Sequence, residues 1–255
     1  MSSNADLLKN FRGKVLLRDA SPELAKAVQA CLVKGGYLSG TIDGKVGPIT
    51  MKAFHQFKQA SYLDQLNYLG QTTAQALLKI ESSTPTSGVN LKVPYLSQRD
   101  NEYRPSGTCN ITSVAMCLQY FGIKQTTKPQ LEDELFLKLK ENGWRRHYHS
   151  DLNKLFHLYG VNNTFYTECP WSRIKEHLAK GNPVIYSGKF TSFGHIIVIR
   201  GYDHKGWWVN DPWGEYFSSG YVNKSGANLH YSYDLLQRLS YSGRNHGWAH
   251  LPSKK

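Results

Sequence analysis

Acidic residues are scarce in this 255-residue chain: 19 Asp and Glu stand against 31 Lys and Arg, a formal net charge of +12. That balance suits an anionic partner such as nucleic acid, anionic lipid or an anionic wall polymer. Nucleic acid finds no support, because the cations are scattered and no zinc-finger, basic-helix or RNA-stacking signature occurs. Cysteine is sparse as well. Cys31, Cys109, Cys117 and Cys169 lie far apart with no CxxC, which argues against a structural zinc site and a disulfide scaffold. Reduced thiols in a cytoplasmically made protein are expected instead. No apolar run approaches the roughly 20 residues that span a bilayer, so no stable membrane insertion is expected. The first 20 residues carry Asp6, Lys9, Arg12, Lys14, Arg18 and Asp19 and no apolar core, so a secretory signal is not expected either. P-loop, dinucleotide and GxSxG motifs are missing, and no cofactor is implied. What is present is 40% hydrophobic residues with 16 Tyr and 6 Trp, enough for one large domain or two small ones.

In the N-terminal third, Ser21-Pro22 is placed to open a helix, with a hydroxyl cap and Pro in the first turn. Leu24, Val28, Cys31 and Leu32 form its buried stripe, and Gly35-Gly36 end it. A turn-rich loop follows, then a second helix from about Thr50 burying Ala53, Phe54 and Phe57. Gly47-x-x-Thr50-x-x-Ala53-Phe54 recurs as Gly70-x-x-Thr73-x-x-Ala76-Leu77, each copy a loop Gly, a Thr able to cap and an apolar helix face. The expected result is a small three-helix bundle over residues 21–80, behind an extension at 1–20.

Gln29, Leu32, Gly36-Tyr37, Ile42-Asp43-Gly44, Gly47-Pro48-x-Thr50, Ala53, Phe54, Phe57 and Gly70-x-x-Thr73 resemble the peptidoglycan-binding domain type 1. The resemblance implies bacterial peptidoglycan as partner. A groove around Tyr37, Asp43 and Tyr62 is the candidate binding surface, against the alternative that the bundle is a spacer or a protein-contact module.

Residues 81–90 are small and polar with Pro85, a flexible linker. Beyond it, from residue 91 to 255, Cys109 stands at the first turn of a helix carrying Val114, Ala115, Leu118 and Phe121, with Gly122 placed to end it. Unpaired N–H groups at a helix N-terminus favour a thiolate, although a lone Cys is more often core packing. Helices are expected at 130–140, at 151–159 with Ser150 as cap, and at 172–180 with Ser172 as cap. The period then changes to strand in Val184–Gly188, His195–Tyr202 and Trp207–Asp211, giving an α+β fold with an antiparallel sheet.

Gly194-His195 opens the longest apolar strand, and Asn210-Asp211-Pro212 closes its partner. Together with Cys109 they supply a nucleophile, a base and an orienting group. Gln98 could donate its amide to an oxyanion beside the Cys109 backbone N–H. If the hairpin pairs Tyr202 with Trp207, Asn210 shares a face with His195 and Asp211 points away, unless a bulge brings it round; Asn210 stays open as the orienting group.

Val93-Pro94-x-x-x-Gln98, Gly107-Thr108-Cys109, Ser113-x-Ala115-Met116, Gly181-x-Pro183-Val184-Ile185, Gly194-His195, Gly201-Tyr202-Asp203 and Asn210-Asp211-Pro212 resemble the C39-like cysteine peptidases, of papain-like fold. Asn110 departs from the Gly usual in bacteriocin-processing relatives. The resemblance implies catalysis by Cys109, His195, Asp211 and Gln98. With the first domain it implies a peptidoglycan hydrolase of phage-endolysin type, acting on an amide of the wall peptide after release from the cell, as a monomer. A wall-tethered protease of protein substrates and a catalytically silent wall binder are the alternatives. Three weaker features remain. His147-x-His149-x-Asp151 could bind a metal, and Asp100-Asn101-Glu102 could bind calcium. Trp144, Trp213 and Tyr216 could stack on sugars, and of these Trp213 is kept as a substrate-binding candidate.

Overall fold

A computed structural model describes residues 4–82, 88–217, 220–223 and 225–254. The chain divides into two compact units, 1–88 and 89–255.

The first unit runs α1 (Asn4–Asn10), β1 (Val15–Leu16), α2 (Pro22–Lys34), α3 (Pro48–Ala60), β2 (Tyr68–Leu69) and α4 (Gln71–Ser82). Ser21 caps α2 by accepting from the Leu24 N–H at 3.3 Å, and Gly36 follows the helix at φ 74°. Helix α3 starts at Pro48, two residues before the expected Thr50, because a fixed φ and a missing N–H both suit the first helical position. Thr50 is not the cap. Gly47 holds that place, and Thr50 lies buried in the first turn, its hydroxyl donating to the Lys45 carbonyl. The core joins Val28, Cys31, Leu32, Phe54, Phe57 and Leu77 to Leu8 and Leu17. Residues 4–20 are therefore packed into the core of the unit, and its described residues form four α-helices where three were expected. Leu8 and Leu17 are covered completely, and β1 pairs with β2 through Val15 and Leu69. The charges along this segment hid its short apolar stripe.

Residues 83–87 of the expected linker lie outside the described residues. Val89 and Asn90, expected in the linker too, instead form a strand, β3, paired with the sheet of the second unit. That unit continues through α5 (Cys109–Tyr120), α6 (Leu131–Glu141), α7 (His149–Leu158), β4 (Val161–Asn162), β5 (Phe165–Pro170) and α8 (Trp171–Ala179). Then come β6 (Val184–Gly188), β7 (His195–Tyr202), β8 (Gly206–Asn210), β9 (Glu215–Phe217), β10 (Gly220–Asn223), β11 (Leu229–Ser232), α9 (Tyr233–Leu239), β12 (His246–His250) and β13 (Ser253–Lys254). The main sheet is antiparallel in the order β11-β8-β7-β6-β12-β5, with β3 on β7.

Helix α5 is buried on nearly every side. Ile111, Val114, Ala115 and Leu118 pack with Ile185, Ile196 and Val198 of the sheet and with Leu135, Leu152 and Leu155 of α6 and α7. Gly122, at φ 92°, closes α5 by donating to the Gln119 carbonyl while Ile123 N–H reaches back to Leu118. Two expected caps are not formed. Ser150 lies inside α7 behind Tyr148, and Ser172 lies inside α8 behind Pro170. Both helices start a residue or more earlier than the polar cap rule implies; in the first turn of α7 the Asp151 carboxylate accepts from the Arg145 N–H at 2.8 Å.

Candidate active site

Cys109 is the first residue of α5, where several N–H groups lack intrahelical partners and the dipole's positive end lies. Its thiol lies in the cleft with His195 and Ile196. Burial pushes the thiol up; the charge on His195, with the polar groups of His195 and Ile196, outweighs it and holds Cys109 below the usual thiol range. The reciprocal balance holds for His195. Burial disfavours its charged form, but the charges of Asp211 and Cys109 win and raise it well above an ordinary imidazole. The favoured state is therefore a thiolate–imidazolium pair.

His195 sits where β7 begins. Gly194 before it takes φ 79°, a left-handed conformation that disfavours a side chain at the turn that sets the imidazole, and a Cβ there would also push the Tyr241 hydroxyl aside. The ring's Nε2 lies 2.7 Å from Asp211 Oδ1, which leaves Nδ1 as the nitrogen for the thiol. The expected register pairs Tyr202 with Trp207, and the structure has it. Between Ile199 and Gly201 the ladder then slips by one, so Val198 faces Asn210 and Arg200 is left over as a bulge. The slip reverses the parity of the strand end and turns Asp211 to the His195 side.

Asp211 is fully buried and densely held. Oδ1 also accepts from the Trp213 N–H at 3.0 Å, and Oδ2 accepts from the hydroxyls of Tyr221 and Tyr231 at 3.0 and 3.2 Å. Asn210, left open above as the orienting group, is engaged elsewhere: its amide donates to the Val93 carbonyl at 3.0 Å and its oxygen accepts from the Asn228 N–H. Gln98 is buried in a short turn at the cleft. One amide N–H goes to the Pro105 carbonyl at 2.8 Å, and its backbone N–H goes to the Pro212 carbonyl at 3.0 Å, tying it to the segment after Asp211.

Cys109, Gln98, His195 and Trp213 line one cleft of about 590 Å³ together with Asn110 and Arg146. Trp213 is fixed there by the Arg99 guanidinium, 3.9 Å from its ring. Trp144 lines a neighbouring groove, and Tyr216 packs edge-on to Phe190 and Tyr221. Asn110 donates to the Arg146 carbonyl at 2.6 Å, a bond that Gly in its place could not make.

The suggested metal ligands do not converge. His149 Nδ1 lies 2.9 Å from His250 Nε2, while Asp151 is taken by Lys154 and the Arg145 N–H. Among the described residues no group of three or more His, Cys, Asp or Glu could hold a metal ion. Asn101 bonds Thr108 and Thr112, and Glu102 pairs with Lys128. In the first unit, Asp43 turns its carboxylate inward to the Gln29 amide and the Lys45 N–H, both at 2.9 Å. Tyr37 packs edge-on to Phe57, and Tyr62 is half-buried with a left-handed backbone at φ 55°.

Sequence reasoning missed Tyr221, Tyr231 and Arg146. No motif or spacing marks them; Tyr221 and Tyr231 lie only 10 and 20 residues beyond Asp211, but the turns that bring their hydroxyls back to it carry no sequence signature.

A thiol beside a carboxylate-held imidazole, on a helix packed against an antiparallel sheet, is an arrangement suited to a cysteine peptidase. The chain belongs to the Peptidase_C39 like family, whose model matches residues 90–241. Among solved structures, a double glycine motif protease from an AMS/PCAT transporter, in complex with the leader peptide, is similar at 17% identity and a TM-score of 0.44. The match covers 66% of this chain and 95% of that one. A C39-like peptidase from Bacillus anthracis is similar at 18% identity and a TM-score of 0.42, covering 66% and 98%. No curated protein matches. Among the described residues no helix is long and apolar enough to cross a membrane.

Proposed function

We propose that this peptidase is a peptidoglycan hydrolase of endolysin type, cleaving an amide in the bacterial wall peptide with Cys109 as nucleophile. The carrying observation is the Cys109–His195–Asp211 chain at the N-terminus of α5. The thiolate attacks the amide carbon, and the oxyanion is met by the Cys109 backbone N–H and by the Gln98 amide N–H that Pro105 does not take. The His195 imidazolium gives its proton to the leaving amine, the C–N bond breaks, and an acyl-thioester remains. Water, deprotonated by His195, then releases the acid and restores the thiol pair. Asp211 holds the imidazole orientation throughout.

The wall as substrate is supported by the resemblance of residues 20–80 to a peptidoglycan-binding domain and by the +12 charge, which suits an anionic envelope. Digestion of purified peptidoglycan followed by mass spectrometry of the fragments tests this. The expected result is a new amine on alanine or on a diamino acid, with Cys109→Ala releasing no fragments while still binding wall. Cleavage of protein substrates only would favour the wall-tethered protease reading; full lysis by Cys109→Ala would refute the mechanism.

A further inference from the structure

A second groove, of about 810 Å³, adjoins the cleft and shares Arg146 and His147 with it. Its rim is cationic, with Arg104, Lys140, Arg145 and Arg146, and its walls include Trp144 and Tyr148. The one acid among its lining residues, Glu102, is matched to Lys128 at 3.2 Å, and nearby Glu141 and Asp151 are matched to Lys138 at 2.9 Å and Lys154 at 2.8 Å. None of the ion pairs among the described residues involves an arginine of this rim.

Arg146 is the important one. It is half-buried, and one guanidinium nitrogen is tied to the Gly107 carbonyl, two residues before the nucleophile. Its own carbonyl is held by Asn110, one residue after the nucleophile. Its charge is thus fixed beside Cys109 with no carboxylate against it, and Arg104 adds like charge from the same groove. Arg104 takes a left-handed backbone, φ 50° and ψ 56°, costly for a residue with a side chain. Of the four cations only Arg146 is partly desolvated; the anion already near it is the Cys109 thiolate, whose charge raises it, and a substrate carboxylate would add a second counter-charge. The field is felt locally: burial, then the charges of Arg146 and Arg104, hold His147 below the usual imidazole range.

We propose that Arg146, with Arg104 beside it, binds a carboxylate carried by the substrate peptide next to the bond that Cys109 attacks. A guanidinium fork matches a carboxylate in two parallel hydrogen bonds, which gives orientation as well as affinity. The aromatic walls would take the peptide's apolar portions. The substrate class is then an acidic peptide, its carboxylate on a side chain or at a chain end. The inference rests on Cys109 being the nucleophile.

The test compares two alkylating agents of nearly equal shape, iodoacetate and iodoacetamide, on the full chain, following Cys109 by peptide mapping. In each, sulfur displaces iodide, so the ratio of rates cancels the thiolate population and reports attraction for a carboxylate. The wild-type ratio should exceed that of a free thiol and fall as salt is raised. Arg146→Gln should lower it by about tenfold, Arg146→Lys should retain part of it, and Arg104→Gln should lower it less. Protection of Cys109 from iodoacetamide by N-acetylglutamate α-amide points to a side-chain carboxylate, and protection by N-acetylglutamine to a terminal one. A ratio insensitive to salt and to Arg146→Gln, or protection by neither compound, overturns the proposal. Slow alkylation of Cys109 by iodoacetamide itself would instead refute the nucleophile reading. The His195 imidazolium also attracts iodoacetate, so the variants rather than the salt series assign the effect to the arginines; if Arg146→Gln does not fold, Arg146→Lys and Arg104→Gln carry the test.

Discussion

His195 and Asp211 share a 2.7 Å hydrogen bond across two strands that fall out of step by one residue between Ile199 and Gly201. The extra residue, Arg200, is held by Leu91, the residue after β3. Leu91 N–H donates to the Arg200 carbonyl at 2.8 Å, and the Arg200 guanidinium donates to the Leu91 carbonyl at 2.7 Å. Next to it, a Cβ at Gly201 would overlap the Val89 carbonyl. The lead-in strand and the His195–Asp211 pair are therefore linked through the Arg200 bulge.

Gly201→Ala should displace β3 and loosen the bulge. We expect a loss of about 2–4 kcal/mol in the urea unfolding free energy of the second unit, with hydrolysis falling alongside. Unchanged stability would show that β3 yields easily and that the bulge does not depend on it.

Asp211→Asn keeps the shape and removes the charge that orients His195. It should reduce kcat/KM by about 10²- to 10⁴-fold. Tyr221→Phe and Tyr231→Phe each remove a hydroxyl from Oδ2, and each should cost about tenfold, because a hydrogen bond to a charged group is worth about 1.5–3 kcal/mol.

The pH profile of kcat/KM should be bell-shaped. The acid limb is protonation of Cys109, placed below the usual thiol range; the alkaline limb is loss of the His195 proton, placed above the usual imidazole range. After burial, the Asp211 charge has the largest effect on His195 and it raises the group, so Asp211→Asn should move the alkaline limb to lower pH. A fixed alkaline limb in that variant would contradict the assignment.

Glu134 provides a stability test apart from catalysis. Burial raises its carboxyl, but the N–H groups of Thr126 and Thr127 and the hydroxyls of Thr127 and Tyr159 prevail and lower it to about 2. A lowered carboxylate stabilises above its unfolded value and loses that contribution as pH falls through the folded one. Glu134→Gln should be less stable at neutral pH, and the deficit should shrink on acidification towards about 2. A deficit independent of pH would sink the linkage.

What could be read from the residues divides by range. Local chemistry was legible: the α5 start at Cys109, the Gly122 stop, the Ser21 cap, and the strands Val184–Gly188 and His195–Tyr202 all appear where periodicity and breakers put them. Caps at Ser150 and Ser172 were misplaced, because the polar-cap rule is a local preference and both helices begin earlier. The register dilemma at Asn210 and Asp211 was visible, but its resolution was not. A bulge at Arg200 depends on Leu91, 109 residues away. Tyr221, Tyr231 and Arg146 were illegible because their contacts are side-chain placements set by turns and loops with no motif, even though Tyr221 and Tyr231 follow Asp211 by only 10 and 20 residues.

The central claim is that Cys109 is an activated thiolate and the other three cysteines are not. Burial raises Cys117 and Cys169 above the usual thiol range, the latter to about 11, and Cys31 is fully buried. Iodoacetamide at pH 6, with the rate at each cysteine followed by mass spectrometry of digests, tests this directly. The account predicts that Cys109 is labelled first and that His195→Ala abolishes its advantage. Equal labelling of Cys109 and the other cysteines, or a Cys109 rate untouched by His195→Ala, would contradict it.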